Sequence, residues 1–178
     1  MNIKTGKTVI FADLDGSLLN DKYQYTEIAQ TLRWLLEEQK VALVFASSKT
    51  RSEILFYKEK LDNRDPFIVE NGSAIFIPKN YFQNRFDSSK QTLDYDIIEL
   101  GASYEAVRKK LNEVKLQTGA TILGFGDMRV EDVAKDAGLP LPLATLAKKR
   151  EYSEPFKIIG NSEQAVFEAL NKLGLCFT

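Results

Sequence analysis

The sequence predicts an α/β protein built on a doubly wound, mostly parallel sheet. Two continuous apolar runs, at residues 8–12 and 41–46, have the composition of strands that are buried on both faces. Each run is followed by apolar residues at helical spacing, at 28–36 and 54–61. Strands that alternate with helices in this way favour a parallel sheet with helices packed on its faces.

The two helices of the first half begin at residues whose side chains can cap them. Thr26 can accept a hydrogen bond from the first turn of the first helix. The stretch Thr-Arg-Ser-Glu at 50–53 forms a capping box, in which Thr50 and Glu53 each satisfy a backbone N–H group of the other. Both helices are therefore predicted from their ends as well as from their apolar spacing.

Two short strands follow the second helix. Residues 67–69 and 73–77 are largely apolar, and the pair Asn71 and Gly72 between them predicts a tight turn. The polar stretch at 80–92 then interrupts the alternation of strand and helix. We expect a linker or a domain boundary there.

The second half of the chain has a different order of elements. The predicted elements are a helix from Ser103, a strand at 119–125, short helices at 130–137 and 141–149, a helix from Ser162 that Gly174 ends, and the start of a strand at 175–178. We expect a first domain over 1–85 and a second over 86–178, because the change of pattern falls between them.

The composition excludes several kinds of chemistry. The 178 residues contain no histidine, so histidine-based catalytic triads and most zinc sites are excluded. The formal net charge is −1 without a long run of one sign, which does not suggest nucleic acid or an anionic membrane as a partner. The single cysteine, Cys176, cannot form an internal disulfide and favours a cytoplasmic protein. No segment has the length of a membrane span or the form of a signal peptide.

Two aspartates, Asp13 and Asp15, directly follow the first predicted strand. Residues two apart in an extended segment point to the same side, so both carboxylates are expected to face one cavity at the carboxyl end of the strand. Two carboxylates held this close need a shared proton or a cation between them, and oxygen ligands favour Mg²⁺. The alternative is a pair of solvated turn residues before Gly16.

The second predicted strand also ends in polar residues. Ser47 can donate a hydrogen bond to a phosphate oxygen, and Lys49 can supply a positive charge. An exposed lysine is usually only a solvated charge, which makes Lys49 the weaker candidate for a phosphate-binding residue. A second strand that ends in hydroxyl groups favours a ligand site over two unrelated turns.

The stretch F-A-D-L-D-G-S-L-L at residues 11–19 resembles the first motif of the haloacid dehalogenase superfamily of phosphohydrolases. The resemblance implies that Asp13 is a nucleophile that forms an aspartyl-phosphate and that Asp15 is the general acid and base. It also implies Mg²⁺ as a cofactor, bound by the Asp13 carboxylate and the Asp15 backbone carbonyl. Ser47 matches the phosphate-binding residue of the second motif.

Three further stretches resemble the mannosyl-3-phosphoglycerate phosphatases, which carry an α/β cap inserted after the third core strand. These are S-S-K-T-R-S-E-I, F-I-V-E-N-G-S-A-I-F-I-P-K and R-E-Y-S-E-P-F. The resemblance implies a partial core over 1–85 and a cap over 86–178. It also implies that cap residues hold the sugar and carboxylate of a phosphorylated small molecule, namely Gly124, Phe125, Gly126, Asp127, Met128, Arg150 and Ser153.

The resemblance ends before the third-motif lysine and the fourth motif of the superfamily, G-D-x-x-x-D. It therefore implies a core without its last strands, and we expect a homodimer to cover the exposed surface. An alternative assigns the fourth motif to residues 126–132, with Lys109, Lys110 or Lys115 as the missing lysine. The stretch R-E-Y-S-E-P-F after it favours the cap assignment.

Three functions are compatible with these features. The first is Mg²⁺-dependent hydrolysis of a sugar phosphate, such as mannosyl-3-phosphoglycerate, through an aspartyl-phosphate. The second is a catalytically weak or inactive protein that acts as a dimeric binding or structural module. The third is a phosphate acceptor of the response-regulator kind, which is disfavoured because the resembling stretches extend well beyond the acidic pocket.

Overall fold

A computed structural model of the protein describes residues 8–25, 28–83, 86–160 and 162–177. The chain divides into two compact units, Met1–Gly101 and Ala102–Thr178. This division lies later in the chain than the expected boundary between residues 85 and 86. The reason is that two strands beyond residue 85 pair into the sheet of the first unit.

A six-stranded sheet in the order β1-β2-β3-β4-β6-β5 forms the first unit. Its strands are β1 (Val9–Ala12), β2 (Ala42–Ala46), β3 (Phe67–Val69), β4 (Ala74–Pro78), β5 (Lys90–Gln91) and β6 (Tyr95–Glu99). The first three are parallel, and the other three extend the sheet with antiparallel pairings. The predicted α/β fold with a parallel sheet is confirmed, and the antiparallel strands β5 and β6 were not predicted.

Helical segments connect the parallel strands. They are α1 (Ala29–Arg33), which continues into a π-helical turn at Trp34–Glu38, and α2 (Arg51–Lys60). The predicted capping box of α2 is present, because Glu53 N donates to Thr50 Oγ1 at 3.1 Å and Thr50 N donates to Glu53 Oε2 at 2.9 Å. Thr26, the expected cap of the first helix, lies outside the described residues.

The core of the first unit lies where β2, β3 and β4 are neighbours. Phe45, Phe67 and Phe76 are completely buried, and the rings of Phe67 and Phe76 stack with their centroids 5.0 Å apart. The predicted tight turn joins β3 to β4 at Glu70–Gly72, where Asn71 has a left-handed φ of 59°. Glu70 N donates to Lys49 O at 3.1 Å, so the turn is held against the residues that follow β2.

Two strands and four helices form the second unit. They are α3 (Tyr104–Thr118), β7 (Thr121–Gly124), α4 (Val130–Ala137), α5 (Leu141–Ala147), β8 (Phe156–Ile159) and α6 (Glu163–Lys172). Strands β7 and β8 are antiparallel. Leu111 and Val114 of α3 form one apolar cluster with Ile122 of β7 and with Val166 and Leu170 of α6. The helices predicted from Ser103 and Ser162 are confirmed.

The last residues differ from their prediction. Residues 175–177 form no strand, and Thr178 lies outside the described residues. Leu175 N instead donates to Leu170 O at 3.0 Å, and the ring of Phe177 stacks on Phe167 with the centroids 4.5 Å apart. The segment packs back on α6, so its apolar residues are used against a helix rather than in a sheet.

The described helices were compared with the length and hydropathy of a membrane span. The longest is α3, with 15 residues, and its sequence contains several lysines and glutamates. Over the part of the chain that the structure describes, no helix combines the length and the hydropathy needed to cross a bilayer.

Candidate active site

Two acidic residues flank a buried leucine at the carboxyl end of β1. Leu14 is completely buried, whereas Asp13 and Asp15 on either side of it are exposed. This alternation brings both carboxylates to the solvent side of the strand end. Asp13 Oδ1 accepts a hydrogen bond from Leu14 N at 2.7 Å, which orients that carboxylate.

The chain turns back directly after Asp15. Leu14 O accepts hydrogen bonds from Leu18 N at 3.1 Å and Leu19 N at 2.8 Å, and Leu19 is buried. Gly16 has a φ of +68°, a left-handed conformation that costs glycine little. Gly16 therefore allows the chain to turn sharply directly after Asp15.

Lys49 connects the ends of β1 and β2. Its Nζ lies 2.9 Å from Asp15 Oδ2 and 3.5 Å from Glu53 Oε1, and only 5% of its side chain is exposed. The Tyr23 ring lies against the ammonium, with 5.1 Å from Nζ to the ring centroid. Lys49 is therefore not a solvated surface charge, because two carboxylates and an aromatic ring lie close to its ammonium group.

Ser47 lies at the same end of the sheet, directly after the carboxyl end of β2. Its backbone is fixed against β3 and the turn after it, since Ser47 N donates to Ile68 O and Ser47 O accepts from Asn71 N, both at 3.2 Å. Its hydroxyl accepts a hydrogen bond from Lys49 N at 3.4 Å. Four predicted residues, Asp13, Asp15, Ser47 and Lys49, thus lie at the ends of two adjacent strands.

Glu53 and Tyr57 belong to this region and were not identified as site residues from the sequence. Glu53 contacts Lys49 as described, and Tyr57 donates a hydrogen bond from its hydroxyl to Tyr23 O at 3.2 Å. Burial raises the pKa of the Tyr57 hydroxyl, and the charges of Asp15 and Glu53 raise it further. The spacing of Lys49 and Glu53, four residues apart, was the signal available in the sequence.

The oxygen atoms at the end of β1 suit Mg²⁺. In proteins this ion is usually bound through one or two carboxylates, several waters and substrate phosphates, and Asp13 and Asp15 can supply the carboxylates. The described residues contain no group of three or more histidine, cysteine or acidic side chains that could hold a metal ion. An ion bound here would therefore take most of its ligands from water and substrate.

A second group of predicted residues lies in the second unit. Phe125 N donates to Pro155 O at 2.9 Å, and Gly126 N donates to Glu154 Oε1 at 2.8 Å. These bonds join two segments that are separate in the sequence, the turn at 124–128 and the loop at 150–156. The candidates Arg150 and Ser153 lie in this loop, where the Arg150 guanidinium donates to the Ser153 hydroxyl.

Two cations of α3 pair with one acid from each of the two segments. Arg108 donates to Glu154 Oε1 at 2.9 Å and pairs with Asp127, and Lys115 Nζ lies 2.9 Å from Asp127 Oδ2. The Arg108 guanidinium, together with Lys115 and the N–H group of Gly124, holds the pKa of the Asp127 carboxyl well below its ordinary value of 3.8. We call Arg108, Lys115, Asp127 and Glu154 the α3 charge network, and its formal charges sum to zero.

All five backbone N–H groups of the turn at 124–128 are already hydrogen-bonded within the second unit. The acceptors are Asp127 Oδ2 for Gly124, Pro155 O for Phe125, Glu154 Oε1 for Gly126, Gly124 O for Asp127 and Phe125 O for Met128. On the acceptor side, Lys148 Nζ binds the carbonyl oxygens of Phe125 and Met128. The turn is therefore a braced element, and its N–H groups do not form an open anion-binding nest.

The packing around the turn requires its two glycines. A Cβ atom on Gly124 would overlap Glu154 Oε1, and one on Gly126 would overlap the Tyr104 hydroxyl. Burial and the neighbouring Glu154 carboxylate raise the pKa of that hydroxyl. The sequence singled out both glycines, but Tyr104, Arg108 and Glu154 carried no local signal of their role.

The pairings also bear on the alternative assignment of a fourth motif to residues 126–132. Lys115 does contact Asp127, but Arg108 shares that carboxylate. Asp132 pairs with Arg129 at 3.1 Å on the exposed start of α4. Both acids thus pair with cations and accept backbone hydrogen bonds, Asp127 within the turn and Asp132 at the start of α4. These contacts favour a structural role for both acids.

Comparisons with known proteins found a matching family and similar proteins. The family described as haloacid dehalogenase-like hydrolase matches residues 10–136. A glucosyl-3-phosphoglycerate/mannosyl-3-phosphoglycerate phosphatase from Methanococcoides burtonii is 42% identical over 175 residues, 97% of this chain and 64% of that protein. A mannosyl-3-phosphoglycerate phosphatase from Pyrococcus furiosus is 44% identical over 146 residues, 82% of this chain and 58% of that protein. The chain spans less than two thirds of the length of these relatives.

Solved structures share the fold at low sequence identity. A crystal structure of a Thermoplasma acidophilum protein superposes with a TM-score of 0.61 at 17% identity, over 96% of this chain and 60% of the other. A haloacid dehalogenase-like hydrolase from Bacteroides thetaiotaomicron superposes with a TM-score of 0.56 at 17% identity, over 93% of this chain and 62% of the other. At this identity the likeness concerns the fold alone.

Proposed function

The chain belongs to the haloacid dehalogenase-like hydrolases, and we propose that it carries the phosphoryl-transfer site of a phosphomonoesterase. The observation that supports the proposal most strongly is the pairing of Lys49 with Asp15 at 2.9 Å, at the same sheet edge as Asp13 and Ser47. A nucleophile, an acid, a hydroxyl donor and a cation within one strand-end cluster are the groups that phosphoryl transfer requires.

The proposed reaction has two steps at the phosphorus atom. In the first, an Asp13 carboxylate oxygen attacks phosphorus while the bond to the ester oxygen breaks, and Asp15 gives its proton to that leaving oxygen. In the second, Asp15 takes a proton from a water molecule, which attacks the aspartyl-phosphate and releases inorganic phosphate and the Asp13 carboxylate. Each step leaves the protein ready for the next, and Asp15 alternates between acid and base.

The other residues of the cluster act on the oxygens of the phosphoryl group. The Ser47 hydroxyl donates a hydrogen bond, and the Lys49 ammonium offsets negative charge. Bound Mg²⁺, held by Asp13 and the Asp15 backbone carbonyl, would neutralise further charge on these oxygens and offset the repulsion between the two aspartates. The carboxylate oxygens of Asp13 and Asp15 at an exposed strand end suit such an ion.

The proposed substrate is a sugar phosphate such as mannosyl-3-phosphoglycerate. Support comes from the names of relatives that are 42% and 44% identical. We assign recognition of the sugar and carboxylate to the second unit, through Arg150, Ser153 and the turn at 124–128, of which Gly124, Phe125, Gly126, Asp127 and Met128 are the members. Because the N–H groups of this turn and the Asp127 carboxylate are engaged internally, the turn would act by its shape and Arg150 by its charge.

A second candidate function is a dimeric binding module with little or no turnover. The observation that favours it is the position of β1 at the edge of the sheet, with Val9 51% and Phe11 65% exposed on one side. A homodimer that covers these side chains would remove an exposed apolar patch on one face of the edge strand. We place either form in the cytosol, because the only cysteine, Cys176, is free.

Phosphate release from an aryl phosphate and from mannosyl-3-phosphoglycerate separates the two candidates. We expect the wild-type chain to release phosphate only when Mg²⁺ is present, and the Asp13→Asn variant to be slower by about a hundredfold or more, because it lacks the nucleophile. Folding of the variant is verified by circular dichroism. Equal release by both proteins would contradict the phosphatase proposal and leave the binding module.

A further inference from the structure

Glu53 is a buried carboxylate that the proposed reaction does not use. Only 4% of its side chain is exposed. Its Oε2 accepts hydrogen bonds from Thr50 N at 2.9 Å and Thr50 Oγ1 at 3.0 Å, and its Oε1 contacts Lys49 Nζ at 3.5 Å. One oxygen therefore serves the helix cap, and the other faces the ammonium group.

The capping box makes Glu53 a fixed anchor. Glu53 N also donates to Thr50 Oγ1 at 3.1 Å, so backbone and side chain of both residues are tied together in the first turn of α2. A carboxylate held in this way does not need to be ordered when a ligand arrives. Its negative charge is therefore available at a constant position next to the strand ends.

Lys49 needs such an anchor because its side chain is a flexible four-carbon chain. Its ammonium lies between Glu53 on one side and Asp15 on the other, with the Tyr23 ring 5.1 Å away. Asp15 belongs to the reacting pair and must change its protonation and contacts during turnover. Glu53 is thus the partner of Lys49 that stays constant through the reaction.

We propose that Glu53 is a positioning residue that holds the Lys49 ammonium at the carboxyl ends of β1 and β2. The identity of the ligand that Lys49 meets there, a phosphate group, rests on the proposed function. The contact between Glu53 and Lys49 does not. Without the Glu53 charge, Asp15 is the only close acidic partner of the ammonium among the described residues, and a nearly buried cation with one exposed partner is poorly held.

Two matched variants separate this role from helix capping. Glu53→Gln keeps a side-chain oxygen that can complete the capping box and removes the charge that faces Lys49. Thr50→Val removes the capping hydroxyl but keeps the charge of Glu53 and the hydrogen bond from Thr50 N that fixes its Oε2. A third variant, Lys49→Met, identifies which ammonium signal of the NMR spectrum belongs to Lys49, because it keeps an apolar side chain of similar length without the charge.

The first readout is the ammonium signal of Lys49 in protein labelled with ¹⁵N-lysine. We expect a slowly exchanging Nζ signal in the wild type and in Thr50→Val, and its loss in Glu53→Gln. The second readout is titration with inorganic phosphate in the presence of Mg²⁺. We expect binding about tenfold weaker in Glu53→Gln and changed by less than about twofold in Thr50→Val, because only the first variant releases the cation.

The outcomes distinguish this inference from the proposed function. If Glu53→Gln keeps both the protected signal and the phosphate affinity of the wild type, Glu53 serves the cap alone and the inference is overturned. If Thr50→Val loses the signal to the same extent as Glu53→Gln, the effect belongs to the cap and the inference also fails. A wild type that shows the Glu53-dependent signal but binds no phosphate would contradict the proposed function and support the positioning of Lys49.

Discussion

At the scale of single residues, Lys49 and Asp127 differ in the partners that surround their charges. Lys49 is 5% exposed yet lies 2.9 Å from the exposed Asp15, so its charge can act at a surface site without being solvated. Asp127 is the opposite case, because Arg108, Lys115 and the N–H group of Gly124 already occupy its carboxylate. Lys49 thus lies beside an exposed acid at the strand ends, whereas Asp127 joins elements within the second unit.

The depressed pKa of Asp127 makes the stability of the second unit depend on pH. Its folded-state pKa lies below the ordinary value of 3.8, so its stabilising contribution is complete above that value and is lost as pH falls further. Acid unfolding followed by circular dichroism is expected to show a loss of stability below about pH 4 that is smaller in Asp127→Asn. Equal acid sensitivity in Asp127→Asn and the wild type would contradict the role of this carboxylate.

At the scale of elements, the turn at 124–128 is held from three sides. Strand β7 leads into it, the loop at 150–156 accepts the N–H groups of Phe125 and Gly126, and α3 contributes Arg108. The α3 charge network is formally neutral, so it braces the turn without attracting a phosphate to it. In the proposed recognition of a sugar phosphate, the turn would contribute its fixed shape.

The close packing of Gly126 against Tyr104 gives a test at this scale. We expect Gly126→Ala to destabilise the protein by about 1–3 kcal/mol in urea unfolding, because the new Cβ overlaps the Tyr104 hydroxyl. Tyr104→Phe in the same chain is expected to recover part of the loss, since it removes the overlapping oxygen. Recovery is incomplete because Arg108 Cζ also lies 3.0 Å from the Cβ position. Strictly additive effects of the two changes would contradict the packing described.

At the scale of the whole molecule, local patterns predict the elements that have strong ends or continuous apolar runs. The strands β1 to β3, the capping box of α2 and the helix from Ser103 follow from such patterns and are confirmed. Strand β6 was missed because Tyr95–Glu99 carries two acids and follows a polar stretch. Its place in the sheet depends on pairing with β4, which no local pattern encodes.

The candidate site was predictable to the same extent. Asp13, Asp15 and Ser47 follow from strand ends, because parallel strands bring their carboxyl ends to one edge. The burial of Lys49 depends on Asp15 and Tyr23 from a different part of the chain, so its own neighbours in sequence could not indicate it. Arg108 and Glu154 are 46 residues apart, and their contact exists only in the folded unit.

In the proposed mechanism, Asp13 is the nucleophile of phosphoryl transfer. The most direct measurement is peptide mass spectrometry of Asp15→Asn after brief incubation with Mg²⁺ and an aryl phosphate, followed by an acid quench. The aryloxide group of an aryl phosphate can leave without protonation, whereas hydrolysis of the aspartyl-phosphate needs Asp15 as the base that activates water. A phosphoryl group is therefore expected to accumulate on the peptide that contains Asp13. The double variant Asp13→Asn, Asp15→Asn is expected to carry none. A phosphoryl group on another residue, or turnover without one on Asp13, would contradict the claim.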